Sequence, residues 1–309
     1  MRMGLNVMCT GGTGQKVLVD NTLGSASEYD IMSSFEEEFF NSEIDVAMLN
    51  NKAYIFGNHN TYAFDGHGLT ALNVEVPRAN HRSCLTVYDG KILAAGPRIR
   101  VFDGETVSDF AYQPPYTING IASLDGDLYA FYKTRNASTG IYYTEISKLI
   151  NGQWVDLYPD IPGSIYSEGE SILTTFNGKI FIIGSEYSNS DYGWAKSIYT
   201  FDGTNLVSYN NDSFVARGRV SVYDGKMHIM NPYNPYASGS NELIINEDNT
   251  RNSNSYTVNN YPAFAAYMMR NYATRVKVSG EEYFLLLYGG IVAKKTANNN
   301  IDIVSLIAS

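Results

Sequence analysis

Eight Asp-Gly or Asn-Gly pairs stand at hairpin positions in this chain, at Asp65-Gly66, Asp89-Gly90, Asp103-Gly104, Asp125-Gly126, Asn151-Gly152, Asn177-Gly178, Asp202-Gly203 and Asp224-Gly225, and Asn51 marks a looser ninth turn. Each sits between short runs in which apolar residues alternate. That combination is the strongest short-range signal for a β-hairpin, because a two-residue type I′ turn requires φ > 0 at both central positions and Asx followed by Gly tolerates it. The hairpins are of two alternating kinds. LTVYDGKILAAG, LTTFNGKIFIIG and VSVYDGKMHIM exemplify the first, with looser copies around Asn51 and Asp125. TYAFDGHGL, IRVFDGETV, SKLINGQWV and SIYTFDGTNL exemplify the second.

Paired hairpins make a four-stranded meander. The first-hairpin anchors Asn51, Gly90, Gly126, Gly178, Gly225 and Gly280 follow one another at intervals of 36 to 55 residues. A meander of that length repeated around an axis is the pattern of a β-propeller. The sequence therefore predicts an all-β propeller over residues 45–309, with six four-stranded blades. Five is the alternative, since the sixth anchor lacks an Asp-Gly turn. Residues 1–44 read as a separate β segment that either closes the ring by donating a strand or docks on a neighbour.

Composition agrees. Of 309 residues 44% are hydrophobic and 17% charged, and there are 25 Tyr against 2 Trp, which suits half-buried pleated surfaces. With 22 Lys+Arg against 32 Asp+Glu, the chain lacks the basic surface that a phosphate backbone demands, so no nucleic-acid partner is expected. No apolar run approaches the length that spans a bilayer, so no membrane insertion is expected. The first residues lack the extended apolar core of a signal peptide. Cys9 and Cys84 form no disulfide framework or metal spacing and read as buried thiols.

The pattern of a β-run, YDGK, an apolar strand ending in Gly, and then a second FDG hairpin resembles the repeat of kelch and galactose-oxidase-like propellers across Val46 to Lys295. Kelch blades carry a Gly-Gly pair and a Trp where this chain has single Gly96 and Gly184, and only Trp154. The phrase GGTGQKVLVDNTLG resembles small β openings of phage tail and baseplate proteins. That resemblance implies a virion tail component, made in the host cytoplasm, with other tail proteins as partners and a host surface glycan as a possible ligand.

In an antiparallel meander the turns joining strands one to two and three to four share an end. The longer connections therefore lie at the other end, where function usually resides. Those connections are rich in Tyr, Asn, Ser and Gly, a mix suited to recognition. The binding-face candidates are Tyr132, Arg135, Tyr142, Tyr187, Asp191, Tyr192, Trp194, Tyr233 and Tyr236, with Trp194 the residue expected to stack on a sugar. Trp154, at a regular strand position, reads as core.

No catalytic constellation is legible. His59, His67, His81 and His228 show no metal-pair spacing and read as turn or strand-surface residues, and neither metal nor cofactor is expected. Glu168, Glu170 and Glu186 are the carboxylates that a glycan-active hydrolase or lyase would use. The leading expectation is a non-enzymatic recognition or structural propeller; a kelch-type interaction module without a virion role and a glycan-active enzyme are the alternatives.

Overall fold

A computed structural model describes residues 45–57, 60–77, 84–118, 120–135, 138, 142–161, 172–183, 198–209, 215–216, 220–230, 232–233, 242–254, 257–258, 273–286, 291–295 and 300–306. All regular structure there is strand. Blade 1 is β1 (Asp45–Leu49), β2 (Lys52–Phe56), β3 (Thr61–Phe64) and β4 (Leu69–Ala71), and blade 2 is β5 (Leu85–Tyr88), β6 (Lys91–Ala94), β7 (Arg100–Phe102) and β8 (Val107–Asp109). Blade 3 holds β9 (Gly120–Leu124), β10 (Asp127–Arg135), β11 (Tyr142–Ile150) and β12 (Gln153–Ile161), and blade 4 holds β13 (Ile172–Phe176), β14 (Lys179–Ile183), β15 (Ile198–Phe201) and β16 (Leu206–Ser208). A small pair, β17 (Val215–Ala216) with β20 (Pro232–Tyr233), flanks blade 5, which is β18 (Val220–Tyr223), β19 (Lys226–Met230), β21 (Glu242–Asn246) and β22 (Arg251–Asn254). Blade 6 is β24 (Ala273–Val278), β25 (Glu281–Leu286), β26 (Ile291–Lys295) and β27 (Asn300–Leu306), with β23 (Thr257–Val258) added parallel to its outer edge.

Within every blade the strands pair antiparallel in chain order. The first strands touch in succession: β1 with β5, then β9, β13, β18 and β24. Blade 6 meets blade 1 to complete the circuit, and that seam uses side chains. Asn51 Nδ2 donates to Ser279 Oγ at 3.3 Å, Ser279 N to Asn51 Oδ1 at 3.2 Å, and the Tyr283 hydroxyl to Gly66 O at 3.1 Å. All four strands of the sixth blade come from residues 273–306. Residues 1–44, expected either to close the ring by donating a strand or to dock on a neighbour, lie outside the described residues.

The turns divide into two classes. The strand-one to strand-two turns at Asn50-Asn51, Asp89-Gly90, Asp125-Gly126, Asn177-Gly178, Asp224-Gly225 and Ser279-Gly280 have positive φ at both residues, as does Asn151-Gly152. Ser279-Gly280 supplies the sixth turn without an Asp. The expectation of a type I′ turn fails at Asp65, Asp103 and Asp202, where only the glycine has positive φ. These are four-residue loops organised by the aspartate side chain. Asp103 Oδ1 accepts from Glu105 N at 3.0 Å and Thr106 N at 2.7 Å, Asp202 Oδ1 from Thr204 N at 2.9 Å and Asn205 N at 2.6 Å, and Asp65 Oδ1 from His67 N and Gly68 N. An Asx side chain that bonds the amides two and three residues on replaces the second left-handed residue.

Among the described residues, apolar clusters fill five of the six seams between blades. Phe56, Ile92 and Phe102 join blades 1 and 2; Leu93, Ile121 and Ala130 join 2 and 3; Phe131, Ile180 and Phe201 join 3 and 4; Phe181, Met227 and Ile245 join 4 and 5; Phe64, Val276 and Leu285 join 6 and 1. Among the described residues the seam between blades 5 and 6 is built differently.

Candidate functional site

Two features distinguish this propeller from a plain repeat: a projecting ribbon in blade 3 and a charged seam between blades 5 and 6. The ribbon follows from strand length. β10 pairs with β9 only from Asp127 to Phe131, whereas its pairing with β11 runs on to Arg135↔Tyr142. Residues Tyr132 to Arg135 therefore carry the hairpin beyond β9, by roughly 13 Å at ~3.3 Å per residue. It projects at the end opposite the tight turns, because the connection from β10 to β11 joins strands two and three. β12 follows β11 past a register shift near Ile146 and reaches Thr144↔Ile161.

A polar clamp fixes the base of the ribbon. Tyr132 is buried and stacks on Tyr116 with ring centroids 3.8 Å apart. The Tyr132 hydroxyl donates to Asp156 Oδ1 at 2.8 Å, Ser147 Oγ donates to the same oxygen at 2.6 Å, and the Tyr116 hydroxyl approaches it at 3.3 Å while also bonding Ser147. Hydrogen bonds from Ser147 first, then Tyr132 and Tyr116, hold the Asp156 carboxyl below its ordinary pKa, and burial pushes the Tyr132 phenol well above its own. Tyr116 belongs to the connection between blades 2 and 3. Gln113 fastens that connection by bonding both Ile99 N and Ile99 O at 2.8 Å, and Trp154 Nε1 donates to Tyr112 O at 2.9 Å.

At the blade 5–6 seam the register explains the chemistry. Arg275 stands four residues before its type I′ turn, where the other blades place Val46, Leu85, Ile121, Leu173 and Val220. His228 occupies the third position of its second strand, where Tyr54, Leu93, Tyr129, Phe181 and Tyr283 stand elsewhere. Arg275, His228 and Glu242 are buried at 2%, 2% and 0% exposure. The Arg275 guanidinium bonds Glu242 through Nη1 and Glu282 through Nη2, the latter at 2.7 Å. His228 Nδ1 lies 2.8 Å from Glu242 Oε1, and Asn254 Nδ2 donates to Glu242 Oε2 at 3.0 Å. Tyr223 stacks on His228 at 4.2 Å, and the guanidinium lies over the Tyr223 and Phe284 rings. Charges taken this far from water persist only when matched; Glu242 and Glu282 match Arg275, while His228 Nε2 has no hydrogen-bond partner among the described residues.

The sequence-predicted face is redrawn in part. Tyr132 is no exposed loop residue; it is a buried member of the clamp, because the segment read as a loop continues as a hairpin. Arg135 and Tyr142 are cross-strand partners in that ribbon. Tyr233 lies on β20, paired with Val215. Tyr187, Asp191, Tyr192, Trp194 and Tyr236 lie outside the described residues, as do Glu168, Glu170 and Glu186. Trp154 packs partly buried against the blade 2–3 cluster. His228, expected at a turn or strand surface, is instead buried in the seam. Aligning the six first strands on their turns would have singled out Arg275, and aligning the second strands would have singled out His228.

No family model matches the chain, and no curated protein does. Solved structures similar in shape include an α-L-arabinanase from Penicillium chrysogenum complexed with arabinobiose, at 14% identity and a TM-score of 0.41 over 85% of this chain and 92% of that one. An endo-1,4-β-xylanase from Bacteroides thetaiotaomicron matches at 12% identity and 0.41, over 71% of this chain and 96% of that one. A chain from the S. cerevisiae Dbp5 complex with Nup159 and Gle1 matches at 8% identity and 0.37, covering 76% of this chain; this chain spans 63% of its length. The propeller assignment stands on strand order and register.

Proposed function

We propose that this chain is a non-catalytic recognition propeller that presents its loop-bearing end to a partner protein or a surface glycan. The observation that carries the reading is the contrast between the two ends. One end is closed by turns of two to four residues, while the other projects the β10–β11 ribbon on a clamp of buried hydroxyls around Asp156. A rigid base beneath an extended hairpin is a pre-organised binding element, and pre-organisation lowers the entropy lost on association. The setting on a phage tail is the finer form of this proposal and rests on the resemblance of the N-terminal phrase.

Purified protein on a printed glycan array and in cross-linking against tail preparations tests it. Retention that falls when Trp194→Ala or Tyr192→Ala is introduced, with no new reducing ends released from the bound glycan, is the expected result. Release of reducing sugar that stops on Glu168→Ala or Glu186→Ala would replace this reading with a glycan-cleaving one.

A further inference from the structure

The propeller axis holds a cavity of about 420 Å³, lined by parts of β1, β5, β13, β18 and β24 from the level of Asp45 to that of Asn51. That volume lies within the ~300–1,000 Å³ range of small-molecule sites. The hairpin register decides which main-chain groups face it. In a hairpin closed by a two-residue turn, the residues flanking the turn bond each other, and the bonding direction then alternates along the strand. Flanking pairs here include Leu49↔Lys52, Tyr88↔Lys91, Tyr223↔Lys226 and Val278↔Glu281. One residue earlier, Met48, Val87, Val222 and Lys277 turn their N–H and C=O away from the second strand, toward the axis.

Blade 3 shows what such a group requires. Ser123 is its equivalent residue; its N–H donates to Thr86 Oγ1 at 3.1 Å and its C=O accepts from Thr175 Oγ1 at 2.6 Å. Neighbouring threonines thus satisfy the blade 3 amide, and β9 contributes nothing to the lining. The other axial amides meet a cavity whose wall adds Thr86, Thr174 and Ser221, three hydroxyl residues each three positions before their turns. Ser221 Oγ is itself buried behind that wall, which leaves the two threonines as its hydroxyl groups. The cations of the wall are already matched, Lys277 Nζ to Asp224 at 2.6 Å and Arg275 to Glu242 and Glu282.

We infer that the axial cavity is a binding site for a small neutral polyhydroxylated ligand, of mono- or disaccharide size, held by the axial main-chain groups of the first strands together with Thr86 and Thr174. A ring of alternating donors and acceptors without free cationic charge complements hydroxyl groups, each of which both donates and accepts. The site is distinct from the loop-bearing end proposed above, and the two can fail separately.

Saturation-transfer NMR and calorimetry with glucose, galactose, cellobiose, lactose and glucuronate test the inference on the full chain. Val87 and Val222 line the cavity and are 41% and 38% exposed, so Val87→Phe and Val222→Phe fill it without entering an interblade cluster. Binding of at least one neutral sugar, weaker for glucuronate, lowered by about tenfold or more in either filling variant and retained in Trp194→Ala, is the expected result. A cavity holding only water, with no sugar response in a protein whose thermal unfolding is intact, overturns it. So does sugar binding that survives both filling variants and is lost in Trp194→Ala, an outcome that leaves the recognition reading standing. Thr174→Val supplies a milder variant, expected to weaken binding without altering the melting temperature.

Discussion

Arg275 bonds Glu242 across the seam between blades 5 and 6, joining the first strand of one blade to the third strand of its neighbour where the corresponding seams are hydrocarbon. Removing one member leaves the other's charge buried. Arg275→Ala or Glu242→Ala is expected to cost about 3–5 kcal/mol in urea unfolding. The double replacement Arg275→Leu with Glu242→Leu is expected to cost clearly less than the sum of the singles. Additive losses would show that the two groups do not act as a pair.

Three tyrosines and three glycines repeat a contact around the ring. Tyr54 approaches Gly104, Tyr129 approaches Gly203 and Tyr283 approaches Gly66, each from the second strand of the preceding blade. A Cβ at Gly104 would lie 3.1 Å from the Tyr54 hydroxyl, and φ there is +107°. Gly104→Ala is therefore expected to destabilise by about 1–2 kcal/mol through left-handed backbone strain and crowding together. Adding Tyr54→Phe should recover the crowding part and leave the backbone part, as thermal unfolding of the single and double variants will show.

Acid should loosen the turn end first. Main-chain amides of Thr106 and Glu105 hold Asp103 at a pKa of about 2, and similar bonds lower Asp65 and Asp202. Because the folded values lie below the unfolded one, the stabilisation is fully present above about pH 4 and is lost as pH falls toward 2. Melting temperature measured from pH 6 to pH 2 should fall across that window. Asp103→Asn keeps an Asx acceptor but cannot titrate, so the fall should be shallower in that variant.

The Asp156 clamp predicts a local effect. Tyr132→Phe removes one donor to a carboxylate and is expected to cost about 1–3 kcal/mol, with faster hydrogen exchange concentrated in residues 132–135 and 142–147. Ser147→Ala should act in the same region. Uniform acceleration over all six blades would show that the clamp supports the whole ring and not the ribbon.

Much of this architecture is legible in the sequence because turn chemistry is local. A type I′ turn is specified by two residues, so Asp89-Gly90, Asn177-Gly178 and Asp224-Gly225 announce their hairpins without tertiary help. Asp103-Gly104 presents the same dipeptide but closes a four-residue loop, since Thr106 lies within reach of the aspartate; the dipeptide alone does not distinguish the two. The blade 3 ribbon falls where the meander places a longer connection, and the pairing of β10 with β11 up to Arg135↔Tyr142 extends the hairpin into it. The charged seam was hidden for a different reason. His228 and Arg275 are 47 residues apart, and only the repeat register brings them together.

The sixth blade is built from residues 273–306, and its seam with the first is made of side chains. The face of blade 1 carrying Ala53, Ile55 and Phe64 is covered by Val276, Val278 and Leu285. During synthesis the early blades can assemble in sequence, but that face stays wet until the last blade emerges. The nascent ring is thus an open arc with a hydrophobic edge through most of translation. Any interruption before residue 273 would strand it there, exposed to whatever other apolar surface it meets first.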